Sequence, residues 1–209
     1  MRHSFPAAPA LLLLCAWLGA SGCGLPGSSG GLKGRRPAHP GTVGAVSLPE
    51  ARTGLADRPF FFKASPGNLL CVYFGYASCP DVCPATLSDL RRALRLLGAD
   101  SSRVEVALVT VDSERDTREI LRAYLDGFVR GGHALRPETQ SQLARAEEAF
   151  GATSRVGRAA DGKIEVSHTA VSYLVDESGQ VLLEWDFGAR PADIAHDLRL
   201  LLGIRGKNP

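Results

Sequence analysis

Apolar residues in this chain alternate between short continuous runs, which predict buried strands, and positions spaced three and four apart, which predict helices. The run LLCVYFG at residues 69–75 predicts a central strand that is covered on both faces. Leucines spaced three and four residues apart then predict a helix over about residues 84–98. Pro84 suits the first helical turn, where its missing N–H has no intrahelical acceptor to lose, and Gly98 suits the C-terminal stop.

A second strand and a second helix follow in the same order. The run VEVALVTV at residues 104–111 predicts another buried strand. The amphipathic helix after it has its apolar positions at Ile120, Leu121, Tyr124, Leu125 and Phe128. The order strand, helix, strand, helix predicts parallel strands that are joined by right-handed crossovers.

The remainder of the chain predicts two more helices and two hairpins. One helix is expected near residues 138–150, and the last begins at Pro191. Between them, the segments TAVSYLVD and VLLEWDF flank the turn ESGQ, which predicts a β-hairpin over residues 169–187. At the other end, the segment FFFKAS at residues 60–65 is expected to pair with residues 69–74 as an N-terminal hairpin.

These elements predict an α/β fold of the thioredoxin-like type, with a central mixed sheet flanked by helices and an N-terminal hairpin. A cysteine pair between the first central strand and its helix is typical of that layout. The chain is long enough for one good core of the usual domain size. We therefore expect one such domain over residues 49–209.

The first 48 residues differ in composition from the predicted domain. Arg2 and His3 precede an apolar run, and the small residues ASGC end it at Cys23, so residues 1–22 are predicted to be an export signal of the lipoprotein type. The tetrad resembles a bacterial lipobox, whose cysteine is acylated; plain cleavage and an uncleaved anchor are the alternatives. Residues 23–48 are rich in Gly, Pro and Ser and predict a flexible tether. Each of these three possibilities exports the domain to the periplasmic side of a bacterial membrane. In the lipobox interpretation, a lipid on Cys23 also anchors the domain there.

The distribution of charge excludes one class of partner. The formal net charge is +2, and acidic and basic residues are mixed along the chain. A nucleic-acid-binding surface needs a stripe of basic residues that neutralises a run of phosphates, and the sequence has none. We therefore predict no nucleic acid partner.

The cysteines differ in their predicted roles. Cys15 leaves with the signal, Cys23 is the predicted lipidation site, and Cys71 inside the apolar run is expected to be an inert buried residue. Cys79 and Cys83, in YASCPDVCP, lie at a strand-to-helix turn, where the first helical turn favours a thiolate over a thiol. This close pair is compatible with a structural disulfide, with a redox couple, or with two thirds of a metal site.

A soft metal ion suits this pair better than zinc does. A structural zinc site needs four ligands, and the sequence has no second close cysteine pair. Two thiolates and one imidazole would satisfy copper. The candidates for the imidazole are His133, His168 and His196, because His3 and His39 lie outside the predicted domain. Of these, His168 is distinguished by its place immediately before a buried strand.

Five segments of the chain resemble, in order, the Sco/SenC family of copper-binding thioredoxin-like proteins. They are VYFGYASCPDVCPATL at 72–87, VTVDSERDT at 109–117, YLDGF at 124–128, AEEAFG at 146–151 and SHTAVSYLVDESG at 167–179. Members of that family assist the assembly of cytochrome c oxidase in the bacterial periplasm and the mitochondrial intermembrane space.

The resemblance implies roles for individual residues. Cys79 and Cys83 match the two copper-ligating cysteines, and His168 matches the ligating histidine. Asp112 and Asp116 match an acidic element that lies near the site or on the partner surface, although a strand-end turn and a helix N-cap would explain them equally well. Because the exported setting is oxidising, the cysteine pair is also expected to close into a disulfide.

Two functions follow from the resemblance. One is a metallochaperone that holds copper, as Cu(I) and also as Cu(II), and delivers it to the dinuclear copper centre (CuA) of a cytochrome c oxidase subunit. The other is a thiol-disulfide oxidoreductase that uses Cys79 and Cys83 to reduce the cysteines of that subunit. Other periplasmic copper carriers or thioredoxin-like reductants are the further partners implied. A peroxidase is disfavoured because its PxxxTxxC pattern is absent.

Overall fold

Strands and helices follow one another largely in the predicted order. The computed structural model describes Met1 and residues 31–37, 41–52 and 57–204. In this part of the chain the strands are β1 (Ser47–Glu50), β2 (Arg58–Phe61), β3 (Leu69–Gly75), β4 (Val104–Thr110), β5 (His133–Leu135), β6 (Ser154–Arg158), β7 (Ile164–His168), β8 (Val171–Val175) and β9 (Val181–Asp186). The helices are α1 (Val82–Leu97), α2 (Arg118–Asp126), α3 (Gln140–Phe150) and α4 (Pro191–Leu201), and a 3-10 helix covers Gly98–Arg103.

β3 lies inside a mixed seven-stranded sheet, whose order is β2-β1-β5-β4-β3-β8-β9. β3, β4 and β5 are parallel, whereas β8 runs antiparallel to β3 and pairs with β9 as a hairpin. All residues of β3 are buried, as predicted for a strand that is covered on both faces. The predicted mixed sheet with flanking helices is confirmed.

The helix boundaries follow from local chemistry. α1 holds Pro84 in its first turn, and its C-cap is Gly98, whose φ of 62° is readily adopted by glycine. Thr117 caps α2, because its side chain accepts a hydrogen bond from the N–H of Ile120. α1 packs against α4, and each helix buries most of its apolar residues.

The N-terminal hairpin has different strands from those predicted. β2, at residues 58–61, pairs with β1, at residues 47–50. β4 covers one edge of β3 along its whole length, and β8 covers the other. Because both edges of β3 are occupied, the predicted pairing of residues 60–65 with residues 69–74 is wrong.

Two other pieces of sheet were not predicted. β5 has only three residues, too few for a periodic pattern, and its sequence resembles a glycine-flanked loop. β6 and β7 form a separate two-stranded antiparallel sheet. The alternation in IEVSH is the local signal for the second of these strands. This hairpin is important for the site because β7 ends at His168.

Part of the predicted tether is packed on the domain. The compact unit begins at Leu32. The N–H groups of Lys33 and Gly34 each donate to the buried carboxylate of Asp197 at 2.7 Å, and Leu48 is buried in the core. The predicted domain boundary after residue 48 is therefore too late, because these residues find partners in α4 and in the core.

The predicted export signal and lipidation site cannot be placed on this fold. The residues of the predicted signal after Met1, which include His3, lie outside the described residues. Cys23 and His39 lie outside them too. Within the described ranges, no helix has both the length and the apolar character needed to cross a membrane.

Candidate metal centre

Cys79 and Cys83 lie where β3 leads into α1. Cys83 is the second residue of α1, so its N–H has no intrahelical acceptor. That N–H donates instead to the sulfur of Cys79, at 3.4 Å. The N–H of Cys79 in turn donates to the carbonyl oxygen of Tyr76 at 3.3 Å. The CxxxC segment thus holds its two sulfurs close together, with Cys79 partly exposed and Cys83 buried, and neither is in a disulfide.

The topology of the sheet brings His168 to the cysteines. His168 is the last residue of β7, and β8 begins shortly after it at Val171. β8 runs antiparallel to β3, with Ser172 opposite Tyr73, so the start of β8 lies beside the end of β3. As a result, the Nε2 atom of His168 lies 3.4 Å from the Sγ atom of Cys83.

Three potential ligand atoms therefore converge at one point. The sulfurs of Cys79 and Cys83 and a ring nitrogen of His168 all lie within 4.8 Å of one another. Within the described ranges, no other group of three or more His, Cys, Asp or Glu side chains could hold a metal ion in this way. His133 and His196 are not members of this group, so His168 is the candidate that joins the cysteines.

The hydrogen bonding of His168 leaves one ring nitrogen available to a metal. Its Nδ1 atom lies 3.1 Å from the carbonyl oxygen of Thr169. A carbonyl oxygen can only accept, so Nδ1 carries the ring proton and Nε2 presents its lone pair toward Cys83. Metal-binding histidines are typically held in this way, by a hydrogen bond from the nitrogen that does not bind the metal.

The two thiols differ in acidity. Burial raises the pKa of the Cys79 thiol, but the backbone N–H groups of Cys83 and Asp81 that donate to its sulfur help to outweigh burial, and the pKa is lowered overall. Burial raises the pKa of Cys83 to about 12. Burial also lowers the pKa of His168, which favours the neutral imidazole that a metal needs. Cys79 is therefore the thiol that ionises first, and a bound cation would stabilise the thiolate of Cys83.

Aromatic rings enclose the imidazole. The rings of Tyr73 and Tyr76 stand edge-on to His168, each with its centroid 5.9 Å from the imidazole centroid. The hydroxyl of Tyr73 donates to the sulfur of Cys83 at 3.7 Å. A Cβ atom on Gly75 would come within 3.0 Å of that sulfur. Sequence reasoning did not identify these neighbours of the site; the glycine in an apolar strand run is the local signal of a close approach.

Asp112 closes the turn after β4. Its carbonyl oxygen accepts from the N–H groups of Arg115 at 3.2 Å and Asp116 at 3.0 Å. Its carboxylate pairs with the guanidinium of Arg115. Asp112 is only 3% exposed, so it presents almost no surface to a partner. The alternative interpretation of this residue, a strand-end turn, describes it better.

Asp116 supports the loop that carries the first cysteine. Its carboxylate accepts from the hydroxyl of Thr110 at 2.6 Å and from the N–H of Ala77 at 3.0 Å. Ala77 precedes Cys79 by two residues, so this buried carboxylate holds in place the loop that leads to Cys79. The N-cap of α2 is Thr117, so the interpretation of Asp116 as that cap is wrong.

His133 belongs to a different cluster. Its Nδ1 atom lies 2.6 Å from Oε1 of Glu50, and its Nε2 atom lies 3.4 Å from Oε2 of Glu105. Burial lowers the pKa of His133, but its hydrogen bonds and charge interactions with the two carboxylates outweigh burial and raise the pKa overall. His133 in turn lowers the pKa of Glu105 to about 2. The cluster joins β1, β4 and β5, which is a structural role.

The model of the family described as SCO1/SenC matches residues 57–203. This chain belongs to the SCO1/SenC family. The predicted resemblance is therefore confirmed, and the match extends from β2 to the end of α4.

Two relatives of this chain show how far the sequence similarity extends. A protein of Stutzerimonas stutzeri described as copper-binding is 32% identical over 126 residues, which is 60% of this chain and 61% of that protein. A SCO2-like protein of Rickettsia felis is 26% identical over 141 residues, which is 64% of this chain and 65% of that protein. The chain spans about three fifths of the length of these two curated relatives.

Solved structures of the family superpose on most of the chain. Copper-bound ScoI of Bradyrhizobium japonicum has a TM-score of 0.64 and 26% identity, and covers 78% of this chain and 98% of its own. The apo Sco1 protein of Thermus thermophilus has a TM-score of 0.68 and 27% identity, and covers 84% of this chain and 99% of its own. The predicted thioredoxin-like fold is confirmed by these matches.

Proposed function

We propose that this protein is a copper metallochaperone, which binds copper through Cys79, Cys83 and His168 and delivers it to the CuA centre of a cytochrome c oxidase subunit. The observation that carries the proposal is the convergence of two sulfurs and one imidazole nitrogen within 4.8 Å of one another. Membership of the SCO1/SenC family and the copper held by the B. japonicum relative support copper as the metal.

The donor set suits copper and its transfer. Thiolates are soft ligands that favour Cu(I), and the imidazole lets the same site hold Cu(II). Three protein ligands leave room for a ligand of the acceptor to enter before the donor ligands leave. Cys79 is partly exposed, so an acceptor can approach the metal from its side.

The proposed setting is the periplasmic face of a bacterial membrane. Export and a lipid on Cys23 would keep the domain near a membrane-bound oxidase subunit. Other periplasmic copper carriers would load the site. In this oxidising compartment Cys79 and Cys83 would also close into a disulfide that excludes the metal, so thioredoxin-like reductants would have to keep the pair reduced.

An anaerobic Cu(I) titration of residues 24–209 against a chromophoric chelator tests the copper site. The reduced protein is expected to bind a single copper ion. Cys79→Ser and His168→Ala are expected to weaken binding more than about 100-fold, because each removes a ligand. Cys71→Ala is the matched control, since Cys71 is buried in β3 outside the ligand group. Copper binding that survives Cys79→Ser unchanged would contradict the proposal.

Delivery requires a second measurement. The copper-loaded protein is mixed with the soluble domain of an oxidase subunit whose CuA centre is empty and whose cysteines are reduced. The visible absorption of the CuA centre is expected to appear as copper leaves this protein. Copper that stays on Cys79 and Cys83 under these conditions would contradict delivery while leaving copper binding intact.

A second function is favoured by the asymmetry of the two thiols. Cys79 is partly exposed and has a lowered pKa, whereas Cys83 is buried, as in dithiols that attack with one cysteine and resolve with the other. In such a step the Cys79 thiolate attacks the acceptor's disulfide, and Cys83 then releases the acceptor. The two thiols lose two electrons and two protons, and the acceptor gains two thiols.

An insulin reduction assay distinguishes the two functions. If thiol-disulfide exchange is the main activity, wild-type protein and His168→Ala are expected to reduce insulin equally, because the reaction needs only the cysteines. A metallochaperone is expected to show little reduction. An active His168→Ala protein that has lost copper binding would favour the oxidoreductase.

A further inference from the structure

Tyr73 contacts two of the three ligand side chains although it lies inside the sheet. It is fully buried in β3. Its hydroxyl donates to the sulfur of Cys83 at 3.7 Å. The edge of its ring meets the imidazole of His168 at a centroid distance of 5.9 Å and an interplanar angle of 81°. A single phenol therefore contacts one sulfur ligand and the nitrogen ligand together.

The backbone of β3 is shaped around this contact. Gly75 follows Tyr73 on the same side of the strand. A Cβ atom at Gly75 would lie 2.8 Å from Cε1 of Tyr73 and 3.0 Å from the sulfur of Cys83. Glycine at this position is therefore what allows the phenol and the sulfur to approach each other.

Another tyrosine near the site, Tyr124, is partly buried and makes no such bond. The hydroxyl of Tyr124, on α2, is buried and has no hydrogen-bond partner among the described residues. Burial is the main cause that raises the pKa of Tyr124, and the charges of Cys83 and Cys79 raise it further. This phenol is therefore close enough to the same sulfurs to respond to their charge. Proximity alone thus does not distinguish Tyr73; the hydrogen bond to Cys83 does.

We propose that Tyr73 is a positioning residue that makes the site prefer Cu(I) over Cu(II). The inference rests on the proposed copper binding at Cys79, Cys83 and His168 and deepens it. An O–H group that donates to a thiolate withdraws electron density from the sulfur. Cu(II) depends more than Cu(I) on that electron density, and hydrogen bonds to a ligating sulfur are known to tune copper sites in this way. Tyr73 therefore holds the sulfur of Cys83 in place and keeps the copper reduced for transfer.

The substitution Tyr73→Phe tests this role because it removes the hydroxyl and keeps the ring against His168. The affinities for Cu(I) and for Cu(II) are measured separately by competition with chelators. The ratio of Cu(I) to Cu(II) affinity is expected to fall about fivefold, the effect of one ordinary hydrogen bond. The charge-transfer band between the sulfur and Cu(II) is expected to move to longer wavelength, because the sulfur becomes a better donor.

Tyr124→Phe is the matched control, since it removes a buried hydroxyl that bonds to no sulfur. It is expected to leave the affinity ratio and the band unchanged. A second variant carries 3-fluorotyrosine at position 73, a stronger donor of similar size, and is expected to shift both readouts in the opposite direction. This variant keeps the test informative if Tyr73→Phe destabilises the fold.

Co(II) serves as a probe that is independent of copper delivery. Its thiolate charge-transfer band reports on the same sulfurs whether or not the protein hands copper to an oxidase. If the Co(II) band moves in Tyr73→Phe but the wild-type protein fails to deliver copper, the proposed function is contradicted and the role of Tyr73 is supported. An unchanged Co(II) band and affinity ratio in Tyr73→Phe, or an equal shift in Tyr124→Phe, would overturn the role of Tyr73.

Discussion

The Nε2 atom of His168 lies 3.4 Å from the Sγ atom of Cys83, although 85 positions separate the two residues along the chain. The contact exists because β8 returns antiparallel to β3 and brings the end of β7 to the end of β3. The site therefore lies between the end of the β6–β7 hairpin and the first turn of α1. Changes that move either element are expected to open it.

Gly75→Ala is expected to disturb the metal site directly. The added Cβ would meet the ring of Tyr73 at 2.8 Å and the sulfur of Cys83 at 3.0 Å. Overpacking of this kind costs about 1–3 kcal/mol of unfolding free energy. We expect Cu(I) affinity to fall by about tenfold or more, measured by chelator competition, because displacement of a sulfur weakens a preorganised site.

Gly157→Ala is the control for that substitution. Gly157 lies in β6, and a Cβ atom there would have no neighbour within 4 Å. Copper affinity is expected to stay unchanged in this variant. If Gly75→Ala binds copper as tightly as wild type does, the close approach at Gly75 is not needed for the site.

Asp116→Ala is expected to loosen the loop before Cys79. The substitution removes the acceptor for the N–H of Ala77, which is partly buried, and for the hydroxyl of Thr110, which is buried. Loss of such supporting residues typically lowers metal affinity about 10- to 100-fold. Asp116→Asn keeps one acceptor oxygen and is expected to retain most of the affinity. Equal losses in the two variants would show that the negative charge, and not the hydrogen bond, is what matters.

The cluster of Glu50, His133 and Glu105 is expected to make stability depend on pH. The lowered pKa of Glu105 stabilises the fold above its ordinary value of 4.5, and this contribution is lost as pH falls toward 2. The raised pKa of His133 stabilises the fold below its ordinary value of 6.5, and this contribution is lost as pH rises through the raised value. The cluster therefore contributes most between pH 4.5 and 6.5.

His133→Gln checks this prediction. Urea unfolding at pH 5.5 is expected to show a loss of about 2 kcal/mol relative to wild type, the usual size for hydrogen bonds to charged groups. The loss is expected to shrink as pH rises through the raised pKa of His133, because the wild-type imidazole then becomes neutral. A double-mutant cycle with Glu105→Gln isolates the coupling free energy between His133 and Glu105 from the other effects of each substitution. A difference that stays constant across pH would rule out a charged His133.

Asp197→Ala is expected to release the N-terminal segment from the domain. The carboxylate accepts from the N–H groups of Lys33 and Gly34 and from Nε1 of Trp185 at 2.9 Å, and it is fully buried. Its removal leaves three donors without their acceptor, at a cost of about 1–3 kcal/mol for the buried Nε1 of Trp185 and for either backbone N–H that water does not reach.

Limited trypsin digestion measures that release, because Lys33 and Arg35 are cleavage sites in the segment, whereas Pro37 blocks cleavage after Arg36. Cleavage there is expected to be several times faster in Asp197→Ala than in wild type. Asp126→Ala is the control, because Asp126 pairs with Arg122 within α2. Equal cleavage in the two variants would show that Asp197 does not hold the segment.

Elements with a strong local pattern were predicted closely. β3 matches the predicted residues 69–75, and α4 begins at the predicted Pro191. Both depend on runs or spacings that are complete within one element, since a buried strand or helix needs apolar residues at its own period. The CxxxC pair is equally local, because four residues at one turn determine how close its sulfurs can be.

Pairing between distant segments was predicted less well. The sequence of residues 60–65 is as compatible with pairing to β3 as with pairing to β1, and the choice depends on β4 and β8 occupying both edges of β3. β5 is too short to carry a pattern, and its sequence alone did not show that His133 would lie between two carboxylates.

The sequence by itself determined which residues have metal-binding chemistry, which segments form the central strands and helices, and which family the chain resembles. These properties depend on residue type and on spacing within one segment. The resemblance already pointed to His168, but only the tertiary structure shows how its ring reaches the cysteines, that Tyr73 donates to Cys83, and that Asp116 supports the loop before Cys79. These contacts depend on how antiparallel return and sheet order bring remote segments together, which no local pattern encodes.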